Sequence, residues 1–498
     1  MRSADEGYDT FRFRTMKTKA RSLAAAHGIA PCEAPDAGRG PRLSAANAAR
    51  LDRLSEWYLP GRFGLFYHWG QFTGGGSAAD DSREPISFRT PEAFESAAPE
   101  PRAVARNMAA AARNAEARYA ILTLCHTCAG HTVLFPTQRP EFLHRTRKDW
   151  TGAFLAECRA AGVMPMLYLP GDANNWNNPQ TGPNVAPDAA RDPARFAAAT
   201  VALLDEIRAR YGDAPAGFWL DGGLPPSFRP VAARIRALWP RAVVVANGAS
   251  ELDCDDVDMG TTETVGNPRT FAPPYDRPGA YRFFLNGSRN GRDVFAAGAG
   301  APGVNQWNGH AAPQTDFNED VPSPHHWWYR GENEEIMPEC EADRFFLLRT
   351  MLCSLGRRGR WNFAPGIGPR LDGTVPPRLR PQLDAIRDFL AWAGEAVYGT
   401  RGPAGTFLRA GWTELRGGRA FYAATVRLDD PNVCYALFTE SPSGGRVLVD
   451  TAGREPRRAI DLRTGAPLPF RMGAGPVFED GPWDDVAAFG AAVAKLEF

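Results

Sequence analysis

The sequence predicts an α/β protein, a (β/α)8-type barrel followed by a C-terminal antiparallel β-sandwich. Three observations predict it. Short β-rich apolar runs alternate with helical patterns from about residue 50 to about 396, which argues for parallel strands joined by crossover helices. After Val397 the helical patterns stop, and strands follow one another across Asp/Pro/Ser/Gly turns. The chain has 498 residues, too many for one ordinary core and enough for a catalytic-size domain plus a smaller one.

The elements follow in order. Residues 1–45 show little periodicity and read as an N-terminal extension; 46–396 read as the barrel and 397–498 as the sandwich. Candidate barrel strands are "RFGLFYHWG" (62–70), "RYAILTL" (118–124), "VMPMLYLP" (163–170), "AGFWLDGG" (216–223), "AVVVANG" (242–248) and "GRWNFAPG" (359–366). The fourth is apolar on both faces, as a strand covered on both sides must be. One helix starts at Asp192–Pro193, an N-cap followed by proline at the first helical position. Others run from Asp149 to a stop at Gly162 and over "LRPQLDAIRDFLAWAG" (379–394). In the sandwich, "RAFYAATVRL" (419–428), "VCYALFTE" (433–440) and "GRVLVD" (445–450) read as strands.

Composition narrows the function. The formal net charge is zero, so nothing marks the chain for nucleic acid or an anionic membrane surface. No apolar run reaches the eighteen or so residues of a membrane helix. The N-terminus carries charges without an apolar core, so a cytoplasmic location is expected unless a leader has been trimmed away. The eight cysteines are scattered, and reduced thiols are expected.

In a barrel of this kind the active residues lie at the C-terminal ends of strands. That selects His68 and Trp69, Cys125 and His126, Tyr168 with Asp172 and Trp176 beyond it, Asp221 after Trp219, and Glu263 at the end of a sixth strand. Aromatic rings, imidazoles and two carboxylates are the equipment of sugar hydrolysis. Rings stack on the C–H faces of a pyranose, imidazoles read its hydroxyls, and two carboxylates share attack and proton transfer. Asp221 is the foremost candidate, placed at the strand mouth by "GFWL" and followed by two glycines that let the chain turn sharply. The competing reading is a strand-end Asp that caps the next helix.

"GRFGLFYHWG", "YAILTLCH…LFPT", "AGVMPMLYLP", "GFWLDGG", "DMGTTE" and "RGRWNFAPGIGPRLDGTVPPRLRPQLDAIRDFLAWAGEAVYGT" resemble, in order and spacing over about 57 to 400, glycoside hydrolase family 29, the α-L-fucosidases. The resemblance implies a retaining exo-glycoside hydrolase acting on a glycoside or oligosaccharide, with no metal and no cofactor. Asp221 takes the place of the nucleophile and Glu263 that of the acid/base, five residues after Asp258; Glu332, Glu334 and Glu335 are rivals for the second role. His68 matches a sugar-binding His, and His126 the first of two at the end of the second strand; His131 is the candidate for the second. Tyr168, Trp69, Trp176, Trp219 and Trp307 complete the expected binding wall. The loop His325–Tyr329 is either its outer part or a subunit contact.

Two departures from the family pattern bear on the sugar. Thr127 stands where the second His belongs, and "QFTGGGSAADDSREPISFRTPEAF" lacks the usual "E-W-Y". A related glycosidase for another sugar, such as an α-L-galactoside or a pentoside, and a non-catalytic carbohydrate-binding barrel therefore stay as alternatives. So does a metal-dependent hydrolase using Cys125, Cys128 and His131, although no second Cys/His pair lies at zinc-ribbon spacing and structural thiols are the preferred reading. The sequence sets no oligomeric state.

Overall fold

The computed structural model describes residues 45–74, 88, 90–126, 132–170, 177–178, 182–183, 186, 189, 192–221, 226–247, 256–261, 329, 342–356, 362–403, 406–408, 411–415, 418–442 and 446–498. The expected extension 1–45 lies outside them but for its last residue.

Seven strands form one all-parallel sheet: β1 (Gly64–Tyr67), β2 (Tyr119–Thr123), β3 (Met164–Pro170), β4 (Gly217–Asp221), β5 (Val243–Asn247), β6 (Met259–Thr261) and β7 (Gly366–Ile367), in the order β6-β5-β4-β3-β2-β1-β7. Helices α1 (Ala45–Glu56), α2 (Pro91–Ala97), α3 (Pro101–Asn114), α4 (Trp150–Ala160), α5 (Pro193–Tyr211), α6 (Arg229–Leu238), α7 (Phe346–Leu355) and α8 (Arg380–Ala393) flank and connect the strands. Two start as their sequences predict. Asp192 accepts from the backbone N–H of Ala194 at 2.9 Å, and Asp149 from that of Gly152 at 2.7 Å. Each such cap is worth about 1 kcal/mol.

The strand expected at 359–366 is shifted, with its ladder at 363–367. The carbonyls of Phe363, Pro365 and Ile367 accept from the N–H groups of Gly64, Phe66 and His68 at 2.9, 3.0 and 3.1 Å. Pro365 has no N–H to give, but in a parallel ladder its carbonyl serves β1 without one.

Alternation along the strands separates two faces. Leu65, Leu122, Leu167, Phe218, Leu220 and Val244 pack with the helices. Phe66, Tyr119, Ile121, Met166, Tyr168, Trp219, Val243, Val245 and Met259 pack with one another instead. β1 and β4 are three strand spacings apart, about 14 Å along a flat sheet. Yet the rings of Phe66 and Trp219 meet edge-on at 5.4 Å, so the sheet curls tightly around this inner cluster. At its lower end Tyr119 fills the base. A side chain at Gly64 would put its Cβ 2.4 Å from the Tyr119 ring, so glycine is required there.

Asp258 gives the chain an anchor at the start of β6. It is fully buried, paired at 2.7 Å with Arg53 of α1 and at 2.8 Å with Arg236 of α6, and it accepts from the Val244 N–H at 2.9 Å. The residue that marks the spacing to Glu263 is therefore structural.

Two antiparallel sheets follow. β8 (Thr400–Arg401), β10 (Gly418–Arg427), β11 (Val433–Phe438), β16 (Ala492–Glu497) and β13 (Arg458–Asp461) pair in that order, with β9 (Gly411–Leu415) on β10. β12 (Val447–Leu448), β15 (Pro476–Phe478) and β14 (Arg471–Met472) form the smaller sheet. Val426, Ala436 and Phe438 share a core with Val447 and Phe478 of the smaller sheet. On the other face Ala423, Tyr435, Leu437 and Val493 join the cluster that contains α7 and α8. Residues 43–498 thus pack as one compact unit. Gly490 lies in this junction at φ +84°, and a Cβ there would come within 2.6 Å of Phe345.

Removing the Asp258 carboxylate would take from two partly buried guanidinium groups the carboxylate they share. Asp258→Ala is expected to lower unfolding free energy by about 3 kcal/mol, read as a shift in denaturant midpoint with an unchanged slope.

Candidate active site

The parallel register brings the C-terminal ends of β1 to β4 into one layer. Tyr67 pairs with Leu122, Thr123 with Tyr168, Tyr168 with Trp219 and Pro170 with Asp221. Residues just past these strands therefore converge.

His68, His126, Tyr168 and Asp221 form one constellation. The Tyr168 hydroxyl donates to Oδ2 of Asp221 at 2.6 Å. The His126 imidazole lies parallel to the Tyr168 ring, with centroids 5.2 Å apart and an interplanar angle of 6°. His68 meets His126 edge-on at 5.2 Å and is itself backed by Phe66 at 4.6 Å. Trp219, two residues below Asp221, is buried against Phe66 and forms the floor. Asp221 is half-buried, whereas His68 and His126 are buried.

Burial sets the charge of the imidazoles. It pushes His126 down to about 4, against the opposing pull of the Asp221 carboxylate. It holds His68 well below the ordinary histidine range, and His126 beside it adds to the effect. Both rings are neutral at pH 7. Each then offers one N–H donor and one acceptor, which suits sugar hydroxyls and leaves the carboxylate as the charged group of the set.

Of the expected site residues, the structure brings His68, His126, Tyr168 and Asp221 together. Trp69 departs from expectation. Its side chain points to the helix layer, buried between Phe94 at 5.0 Å and Trp150 at 5.6 Å, because successive strand residues face opposite ways and His68 takes the inner side. Trp69 supports the site from behind, with its backbone N–H on the Thr123 hydroxyl at 3.3 Å. Trp219 is floor more than open wall. His131, Trp176, Glu263, Trp307, Glu332, Glu334 and Glu335 lie outside the described residues, as do Cys128, Thr127 and His325–Trp328. Tyr329 is described; its carbonyl accepts from the Gly74 N–H at 3.0 Å, which attaches it to the loop after β1.

Two contributors escaped the sequence reading. Phe66, which backs His68, was signalled by its i, i+2 position on an inward-facing pattern. Thr132, which donates to Gln71 at 2.5 Å and links the loops after β1 and β2, had no sequence signal. Cys125 settles part of the Cys/His question. Its thiol is buried with Leu124, Val133 and Phe135, and burial raises it far above the usual thiol range, so it is held protonated. Among the described residues no group of three His, Cys, Asp or Glu side chains could hold a metal ion.

No family model and no curated protein matches this chain. Solved structures do. α-L-Fucosidase isoenzyme 1 from Paenibacillus thiaminolyticus superposes with a TM-score of 0.62 at 16% identity, over 90% of this chain and 99% of that one. Thermotoga maritima α-fucosidase in complex with fucose gives 0.58 at 17% identity, over 88% and 96%. A GH29 α-L-fucosidase from Bacteroides thetaiotaomicron, trapped as a covalent intermediate with 2-fluoro-fucosyl fluoride, gives 0.58 at 15% identity, over 94% and 99%. The chain thus has the fold of these proteins over nearly their whole length.

The neutral histidines carry a stability signature. A folded-state value near 4 against about 6.5 in the unfolded chain means that His126 contributes stability fully present above pH 6.5. That contribution is lost as pH falls toward 4. Thermal denaturation of wild type and His126→Gln is expected to give a Tm gap that shrinks between these limits; a gap independent of pH would contradict the buried neutral imidazole.

Proposed function

We propose that this protein is a retaining exo-glycoside hydrolase of the α-L-fucosidase kind, built on a closed (β/α)8 barrel. The observation that carries the reading is the Tyr168–Asp221 hydrogen bond, which aims a carboxylate at the mouth of a curled parallel sheet beside two neutral imidazoles. The fold shared with α-L-fucosidases supports it, and so does the 5.4 Å contact of Phe66 with Trp219 across three strand spacings.

In this mechanism Asp221 attacks the anomeric carbon, the C–O bond to the leaving group breaks, and a glycosyl-enzyme ester forms. Glu263 donates its proton to the departing oxygen, then takes a proton from the water that hydrolyses the ester. Tyr168 has two tasks. Its O–H fixes the rotation of the carboxylate before attack, and it stabilises the charge that returns to Asp221 when the ester is cleaved. His68 and His126, being neutral, accept and donate hydrogen bonds to the hydroxyls of the bound sugar. With Thr127 in place of a second His, the hydroxyl pattern read here differs from that of the usual fucose pocket, and a related sugar is the second reading. A polar group left unpaired by the wrong sugar costs about 1–3 kcal/mol.

Release of nitrophenol from an aryl α-L-fucoside tests this. Wild type is expected to turn over, and Asp221→Asn to lose on the order of a thousand-fold or more in kcat. A fully active Asp221→Asn enzyme would sink the assignment. An inactive wild type would remove fucose, and a panel of aryl glycosides would then be run.

Tyr168→Phe separates positioning from binding. With the ring kept and the hydroxyl gone, kcat is expected to fall roughly ten- to a hundred-fold while KM changes little. A change confined to KM would make Tyr168 a simple binding residue.

A further inference from the structure

A concavity of about 610 Å3 is lined by Thr90, Pro91 and Glu92 and by residues 136–138 and 143–147. Its position follows from topology. Residues 90–92 belong to the connection leaving β1, and 136–147 to the one leaving β2. Both connections start at the C-terminal strand ends, the end of the sheet at which Asp221 also lies.

Its chemistry is cationic. Arg145 and Arg147 are exposed, and neither guanidinium has a carboxylate partner among the described residues. This is unusual locally. Lys148 pairs with Glu100 at 2.9 Å, and Arg210 with Glu206 at 2.9 Å. Arg145 is pre-ordered, with one Nη donating to the carbonyls of Phe142 at 3.0 Å and Arg139 at 3.4 Å. The turn beneath Arg147 is clamped by Glu95, which accepts from the Arg147 and Lys148 N–H groups at 2.6 and 2.7 Å. Among the described lining residues Glu92 is the one acid; it acts on His144, which burial keeps below the ordinary histidine range. His144 Nδ1 is buried without a hydrogen-bond partner. Pro91, Pro136 and Leu143, the last 46% exposed, supply an apolar strip. No Phe, Tyr or Trp is among the described residues of its lining, so its recognition rests on charge more than on stacking.

We propose that this groove is an accessory subsite for an anionic group, a carboxylate or a sulfate, on the leaving-group side of an acidic oligosaccharide. The proposal rests on the glycosidase reading of Asp221 for the substrate's other end. A rigid turn that presents two guanidinium groups without a carboxylate partner among the described residues suits such an anion, since Arg binds it through parallel N–H donors. The substrate would then span from Asp221 outward across the loops of β1 and β2.

Affinity electrophoresis of the whole protein tests this without requiring turnover. Gels contain oligogalacturonate, a sulfated galactan or neutral dextran. Wild type is expected to be retarded by an acidic polymer and not by dextran, and whichever acidic gel retards it identifies carboxylate or sulfate. The decisive variant is Arg147→Gln, because that side chain makes no hydrogen bond among the described residues, whereas Arg145 also ties down its turn. Loss of one charge-assisted contact is expected to weaken binding roughly ten-fold while turnover of a neutral aryl glycoside is unchanged. Equal retardation of wild type and Arg147→Gln, or none of wild type by either acidic polymer, would overturn the proposal. Failure of the glycosidase reading would instead show in the nitrophenol assay, with the gel result intact.

Discussion

The site depends on the register of four parallel strands. Backbone hydrogen bonds between β1, β2, β3 and β4 set Tyr67 against Leu122, Thr123 against Tyr168, Tyr168 against Trp219 and Pro170 against Asp221. A slip of one residue in any pair would turn every side chain to the opposite face. His68 would then enter the helix layer and Trp69 the inner cluster. The large outer side chains prevent this. Trp69, Phe94 and Trp150 fill one compartment, and Leu167, Phe218 and Val244 another, so register and packing reinforce each other.

Charge is used differently at the two ends of the sheet. At the start of β6, Asp258 is buried with two guanidinium groups and a backbone N–H, and every partner is supplied by the chain. At the opposite end Asp221 keeps partial exposure and accepts a hydrogen bond from the Tyr168 hydroxyl, while the nearby imidazoles are neutral. The first arrangement closes on itself and holds α1 and α6 to the sheet. The second presents a carboxylate toward solvent beside two neutral imidazoles.

The C-terminal sheets contribute through packing. The six-stranded sheet is apolar on both faces, one toward the small sheet and the other toward α7 and α8. α7 leads toward β7, and β7 holds the outer edge of β1. The sandwich thus braces the strand that carries His68, two layers away from it.

Much was legible in the sequence because local rules govern it. Alternation between strand and helix patterns, the Asp192–Pro193 and Asp149 caps, and the long apolar runs each reflect forces acting within a few residues, and the parallel sheet follows from them. Asp221 was legible too, as the polar residue that ends an apolar strand. The tertiary structure alone decided the rest. That Trp69 packs outward while His68 turns in, that Asp258 is an ion-pair anchor, that His126 is neutral beside a carboxylate, and that Arg145 and Arg147 share a groove with Glu92 all depend on groups far apart in the chain. Burial and pairing are properties of neighbours in space, and a sequence read residue by residue does not contain them.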